Sequence, residues 1–309
     1  MKTTRLKWMP HVVLAAIAVF LLAGCGSTKQ TGSASSNSTD QKQKIKVVAA
    51  ENFYGEVAQA VGGDHVQVTS IITNPSADPH DYEATANDSK AVADAQVVVY
   101  NGIGYDDWVA KMLKADSSAQ NKEIVVVGKD LSGKVAGDNP HVWYDPSTMP
   151  KLTKKLADDL GKLDPSNAQD YQKRANDYIR SLAPLTAQVT KLRQSIPVNI
   201  EVSEPVFDYM ANALNLNVND PKFAKAVEEG NEPSAADIAN VQKDIKNKEI
   251  KFFVYNTQTD MPTVKNIVKL AESNGIPIVR VTETEPTGKN YLQWMTAQLD
   301  QVGKVFGVQ

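Results

Sequence analysis

Cysteine occurs once in the 309 residues, at Cys25, and histidine only four times. A single cysteine excludes intrachain disulfides and cysteine-built metal cages, and beyond residue 25 there is no thiol to act as nucleophile. Charge of one sign is also missing: 33 Lys and Arg against 36 Asp and Glu leave a net −3. With no Lys/Arg cluster and no RNA-binding motif, the chain carries no nucleic-acid signature. Long apolar runs are absent too. The one clear run, 12–23, falls short of the roughly 20 residues that span a bilayer, and none beyond it is long enough. There is no His-Glu-x-x-His, no histidine pair at helical spacing and no Gly-x-Ser-x-Gly elbow, so the common zinc-protease and serine-hydrolase arrangements are not present.

What the N-terminal region does contain is an export pattern. Lys2, Arg5 and Lys7 precede the apolar run, and Ala23 and Gly24 supply small residues before Cys25, as a cleaved signal requires. Leu22-Ala23-Gly24-Cys25 resembles a bacterial lipobox, which implies a diacylglyceryl thioether on Cys25 and a lipid anchor in the membrane. Residues 1–24 are therefore expected to be a lipoprotein signal peptide, and 25–43 the lipidated cysteine with its tether. The stretch 26–42 is Ser, Thr, Gly, Gln and Asn with little apolar content, a composition that cannot offset its ordering entropy. The expected location is the outer face of the bacterial cytoplasmic membrane.

From residue 44 onward, apolar β-branched runs alternate with amphipathic stretches. Strands are expected at 45–49, 66–72, 96–100, 124–127, 198–202, 252–255 and 276–281, with helical segments at 55–61, 89–94 and 105–115. Near-continuous apolar strands suit a parallel sheet covered on both faces, and strand–helix alternation argues for an α/β fold. Between 165 and 195 the rhythm changes. Tyr171, Ala175, Tyr178, Leu182, Leu185, Val189 and Leu192 recur at steps of three and four, one face of a long helix. Pro184 in its interior should kink it. The expected architecture is two parallel-sheet α/β lobes, 44–164 and 196–309, joined by one long helix at 165–195. No sequence repeat relates the lobes.

Of the four histidines, His11 lies in the leader and His65 in a polar turn where solvent exposure is expected. His80 and His141 stand in Asp78-Pro79-His80-Asp81-Tyr82-Glu83 and Asn139-Pro140-His141-Val142-Trp143-Tyr144-Asp145-Pro146. Each follows a proline, which stiffens the backbone as a preformed ligand site needs. Ligands of open α/β sheets collect beyond the carboxyl ends of strands; His80, Glu204 and Glu283 all follow expected strands. Two imidazoles and two carboxylates without sulfur suit Zn²⁺ or Mn²⁺.

The segments Pro79-His80-Asp81-Tyr82-Glu83 and Asn139-Pro140-His141-Val142-Trp143-Tyr144-Asp145-Pro146, with Glu232-Pro233-Ser234 further on, resemble signatures of the zinc/manganese substrate-binding proteins of ABC transporters. The likeness runs over about 44–309, with variable loops. It implies two α/β lobes bridged by a long helix, one divalent ion held as cargo in the cleft between them, and His80 and His141 as its first-lobe ligands. The third ligand falls at Glu204, opening Glu204-Pro205-Val206-Phe207-Asp208-Tyr209. The fourth falls within Thr282-Glu283-Thr284-Glu285, where Glu283 is chosen for its place at the strand end and Glu285 competes. A carboxylate in third position resembles the manganese-type arrangement, and the His-rich loop of many zinc receptors is missing. Raw affinity nonetheless rises toward zinc, so zinc and manganese both stand.

The remaining candidates have milder roles. Glu83 is read either as an acceptor for a ligand histidine's N–H or as an acid at a helix N-terminus. Trp143 and Tyr144 pack around the site, Trp108 and Trp294 belong to core or lobe surface, Glu51 and Asn52 end the first strand without ligating, and 151–155 is a solvated lysine face. The function expected is a monomeric, non-enzymatic metal receptor that delivers Zn²⁺ or Mn²⁺ to the transmembrane subunit of an ABC permease. The alternatives are a surface metalloenzyme and a metal-dependent adhesin. Affinity should fall as pH drops through about 6.5, where imidazole protonates, and lobe closure should be limited.

Overall fold

The computed structural model describes residues 43–77 and 82–308. The expected signal peptide, Cys25, the tether, His11 and His80 lie outside the described residues. From Gln43 the chain forms one compact unit built on two four-stranded parallel sheets.

The first sheet has the order β2-β1-β3-β4, with β1 at Ile45–Glu51, β2 at Val66–Ile72, β3 at Val97–Tyr100 and β4 at Glu123–Val126. β3 is buried at every position, as a central strand covered on both faces must be. Helices α1 (Asn52–Gly62), α2 (Ala86–Asp94) and α3 (Asp107–Ala115) connect these strands. Thr85 starts α2 with a reciprocal cap involving Asp88, so Glu83 stands exposed upstream of the helix rather than in its first turn.

The second sheet repeats that order as β6-β5-β7-β8: β5 is Val198–Val202, β6 Leu216–Val218, β7 Phe253–Asn256 and β8 Ile278–Val281. The short edge strand β6 was not expected. Helices α7 (Asp208–Ala213), α8 (Pro221–Glu228), α9 (Ala235–Asn247), α10 (Pro262–Ser273) and α11 (Tyr291–Phe306) complete this half. The two halves thus share a winding without sharing a recognisable sequence.

Between the sheets lie α4 (Thr148–Leu163), α5 (Ala168–Ser181) and α6 (Ala183–Leu192). The single helix expected over 165–195 is in fact a 3-10 turn, Pro165–Asn167, followed by two α-helices that break at Leu182. Pro184 has no N–H to continue the ladder and occupies the first turn of α6, where a missing donor costs nothing. α5 packs on α1 and α4, whereas α6 packs on α11, so the crossing between halves falls at this break. Asp164 secures the turn by accepting from Ser166 Oγ (2.6 Å), Asn167 Nδ2 (2.6 Å) and Tyr171 OH (3.1 Å).

One apolar cluster runs through both halves, from Val47, Val97 and Val125 through Trp143, Tyr144 and Phe207 to Ile200, Val254 and Trp294. Phe53 lies 5.0 Å from Trp143 and 5.7 Å from Trp294 between ring centroids. Trp108 and Trp294 are core residues as expected. His65 is half-buried rather than exposed, edge-on to Tyr171 at 5.7 Å. Among the described residues no helix is long and apolar enough to cross a membrane.

Candidate metal centre

Strand order reverses between β1 and β3 in the first half and between β5 and β7 in the second, which are the points where open α/β sheets bind ligands. After β3 the chain turns through Gly102, Ile103 and Gly104, all at positive φ. Asp106 holds that turn, its carboxylate accepting from Asn101 N (2.7 Å) and Gly102 N (2.6 Å). A Cβ on Gly102 would meet Val126 Cγ1 at 2.4 Å, so the turn demands glycine there. Asn101 Nδ2 donates to Pro140 O at 2.9 Å, which fixes the backbone just before His141.

His141 is 1% exposed. Asn139 Oδ1 accepts from the His141 backbone N–H (3.0 Å) and lies 2.8 Å from its Nδ1. The Asn139 amide is oriented by Nδ2, which donates to Pro205 O at 2.7 Å. Oδ1 therefore faces the imidazole, Nδ1 carries the proton, and Nε2 keeps its lone pair. Nε2 is buried without a hydrogen-bond partner, 3.5 Å from Glu283 Oε1. Two ligands about 2.0–2.1 Å from a tetrahedral ion stand about 3.4 Å apart. Tyr105 and Trp143 wall the imidazole with ring centroids at 6.0 and 5.2 Å.

Glu283 follows β8, is 8% exposed, and its backbone N–H donates to Gln258 Oε1 at 2.6 Å. Glu285 is not among the residues lining the cavity that Glu283 lines, and burial and the neighbouring Glu56 push its carboxyl up to about 8. Glu204 follows β5, and its oxygens accept from Thr259 Oγ1 (2.5 Å) and from Asn256 Nδ2. Burial raises the Glu204 pKa, and those two donors partly oppose the rise. Burial also lowers that of His141, but Glu283, Glu228 and Glu204 outweigh it and the net direction is upward. Glu228 was not singled out from sequence. It ends α8 with Oε1 buried and without a hydrogen-bond partner, 3.7 Å from His141 Nδ1, while Oε2 meets Lys225 Nζ at 2.9 Å. Asp208, also unforeseen, is pushed up to about 6 by burial.

Glu51 and Asn52 differ from each other. Glu51 is fully buried against Asp106, and burial with that second carboxyl raises its pKa strongly. Asn52 opens α1, its Oδ1 accepting from Phe53 N at 3.1 Å. The Glu232-Pro233-Ser234 segment starts α9, with Ser234 accepting from Asp237 N.

Glu204 and Glu283 line one cavity of about 630 Å³, together with Asp138 and Pro140 from the first half and Glu228 and Gln258 from the second, and His141 directly follows Pro140 in the chain. Among the described residues no group of three or more His, Cys, Asp or Glu side chains is placed to hold a metal ion. His80 is not one of the described residues.

A family model described as zinc-uptake complex component A, periplasmic, matches residues 47–305. The iron ABC transporter substrate-binding lipoprotein MtsA of Streptococcus pyogenes serotype M1 is 26% identical, over 96% of this chain and 98% of its own. The manganese ABC transporter substrate-binding lipoprotein PsaA of Streptococcus anginosus is 25% identical, over 97% and 99%. Among solved structures, the substrate-binding protein FpvC of Pseudomonas aeruginosa in complex with Mn²⁺ superposes with a TM-score of 0.69 at 22% identity, covering 86% of this chain and 99% of its own. A Cd-bound periplasmic metal-binding protein from Candidatus Liberibacter asiaticus gives 0.69 at 18% identity, covering 85% and 100%.

Proposed function

This chain belongs to the periplasmic zinc-uptake complex component A family, and from that premise we propose how it captures and hands on its ion. The chain is a metal-binding solute-binding protein of an ABC transporter, a transport component rather than an enzyme. Its cargo is one divalent transition-metal ion, bound by His80 and His141 from the first half and Glu204 and Glu283 from the second. The ion is Zn²⁺ or Mn²⁺; two imidazoles and two carboxylates serve both, and affinity rises toward zinc. Relatives carry iron and manganese in their names, as a borderline-hard donor set of this kind would allow.

The observation that carries the ligand assignment is the Nε2 atom of His141. It is buried and without a hydrogen-bond partner, its tautomer is set by Asn139, and a carboxylate oxygen stands 3.5 Å away. A buried polar atom left so is costly unless something fills the place. A cation there would satisfy Nε2 and neutralise the carboxylates that crowd it.

The halves act as lobes bounded at 44–164 and 196–309, with 165–195 between them. Lipid on Cys25 and the tether over 25–43 hold the receptor at the outer face of the cytoplasmic membrane, where repeated docking keeps it effectively concentrated near the permease's transmembrane subunit. Native mass spectrometry of the unit beginning at Gln43, with Zn²⁺ and Mn²⁺ in competition, tests the site. The expected result is one ion per chain, lost in His80→Ala, His141→Ala and Glu204→Ala. Binding indifferent to all three substitutions would overturn the ligand set.

A further inference from the structure

The end of β7 and the loop after it hydrogen-bond the side chain of Glu204 and the backbone of Glu283, yet contribute no ligand. Asn256 Nδ2 and Thr259 Oγ1 each donate to one oxygen of Glu204. Between them Gln258 turns the other way. Its Oε1 accepts from Glu283 N (2.6 Å) and Thr284 N (3.3 Å), and its Nε2 donates to Thr284 Oγ1 (3.0 Å) and Pro75 O (3.0 Å). Thr284 Oγ1 in turn donates to the same Pro75 carbonyl at 2.7 Å. Both donors and both lone-pair directions of the amide are used, and the bonds among Gln258, Thr284 and Pro75 close a ring. Pro75 belongs to the other half: it follows β2, five positions before His80 in sequence.

We propose that Gln258 is a positioning residue for metal capture, one amide that fixes the backbone of Glu283 and at the same time anchors the first-half segment leading to His80. This rests on the ligand set proposed above. A glutamate side chain has three rotatable bonds, so a ligating Glu283 is only as well placed as the backbone that bears it. A fully satisfied network of this kind selects one arrangement of its members and resists partial opening. Because the ring spans the two halves, orienting the Glu283 arm and holding Pro75 are a single event. Groups that orient metal ligands in this way commonly contribute 10- to 100-fold in affinity.

Gln258→Met keeps the length of the side chain and removes all four hydrogen bonds. Gln258→Glu keeps acceptors for Glu283 N and Thr284 N but has no donor for Pro75 O. Co²⁺ is the probe, because its visible bands report coordination geometry, and competition with a chelator gives the affinity. The expected outcome is that the unsubstituted protein binds one Co²⁺, that Gln258→Met binds it about 10- to 100-fold more weakly with altered bands, and that Gln258→Glu recovers the native band shape while staying weaker than the unsubstituted protein. Melting of the metal-free proteins is measured alongside. A lower melting temperature for Gln258→Met with unchanged affinity and unchanged bands would overturn the inference, since the amide would then only strap the halves together. Failure of the unsubstituted protein to bind Co²⁺ would instead sink the ligand set itself, and this inference with it.

Discussion

His141 is placed under opposing demands. Burial favours the neutral imidazole, while Glu283, Glu228 and Glu204 favour the charged one and prevail, so its pKa sits above the ordinary 6.5. A metal ion bound as proposed would need the Nε2 lone pair, so a proton would compete with it below that raised pKa and not above it. Affinity measured by calorimetric titration is therefore expected to be flat at alkaline pH and to start falling above 6.5 as pH decreases, by up to about tenfold per pH unit for each protonating imidazole. Glu228→Gln removes one of the charges that hold the proton, so the falling limb should move to lower pH with the alkaline plateau retained. A limb that stays in place would mean that Glu228 exerts no field on His141. His141 drew attention in the sequence through the proline before it and the family-like segment that contains it, and the structure buries it beside Glu283. Glu228 carries no such mark: it ends an amphipathic helix where an acid reads as solvent-facing, and only the fold turns it toward the imidazole. Gln258 was nearer to being readable. It lies beyond the carboxyl end of β7, the rule that drew attention to Glu204 and Glu283, but an amide has no charge to draw the eye.

At the scale of the element, strands were easier to read than helices or turns. Val66–Ile72 and Val198–Val202 agree with the expected strands, although β2, at the sheet edge, is buried only at its two ends and β5 only over its last three residues. The helix break at Leu182 is the instructive difference. Periodicity continues across it, since α5 and α6 both bury the same stripe, and periodicity cannot distinguish one kinked helix from two. Burial inside a strand also sets a pH dependence. Glu201 is buried on β5, where desolvation, with Asp220 and Asp244 nearby, pushes its carboxyl up to about 8. In the unfolded chain the same group titrates near the ordinary 4.5. A folded pKa above the unfolded one means that folding favours the proton: stability is fully present below about 4.5 and is lost as pH rises toward about 8. Glu201→Gln carries no charge at any pH and can still accept from Asp220 N, the bond Glu201 makes at 3.2 Å. Urea unfolding should find the variant close to the unsubstituted protein at pH 4 and more stable by on the order of 2–4 kcal/mol at pH 8.5. Equal stabilities at both pH values would show that folding does not raise the Glu201 pKa.

In the molecule as a whole, the two sheets have identical strand order, and besides a smaller apolar cluster in each half a larger one runs through both. The Tyr144 hydroxyl, from the first half, lies 2.5 Å from Thr282 O and 2.8 Å from Gln298 Oε1 in the second, its one proton shared between them. Tyr291 returns the arrangement by donating to Trp143 O at 2.7 Å, while its backbone N–H reaches Glu56 at 2.7 Å. Opening the halves as rigid bodies would expose the Phe53–Trp143–Trp294 packing and exchange these hydrogen bonds for water, at a net cost of about 0.5–1.5 kcal/mol each. Binding a single ion must work against that total, so loading is expected to act through loop order near Glu204, Glu283 and the Pro75 ring rather than through a hinge swing of the kind that closes around larger solutes. Small-angle scattering of the metal-free and metal-loaded protein should accordingly give superimposable profiles, while amide hydrogen exchange slows in the segments after β2, β7 and β8. A clear contraction of the radius of gyration on loading would refute the shared-core argument. Unchanged exchange in those three segments would refute the loop-order argument, leaving neither a hinge nor an ordered loop to report occupancy to the permease.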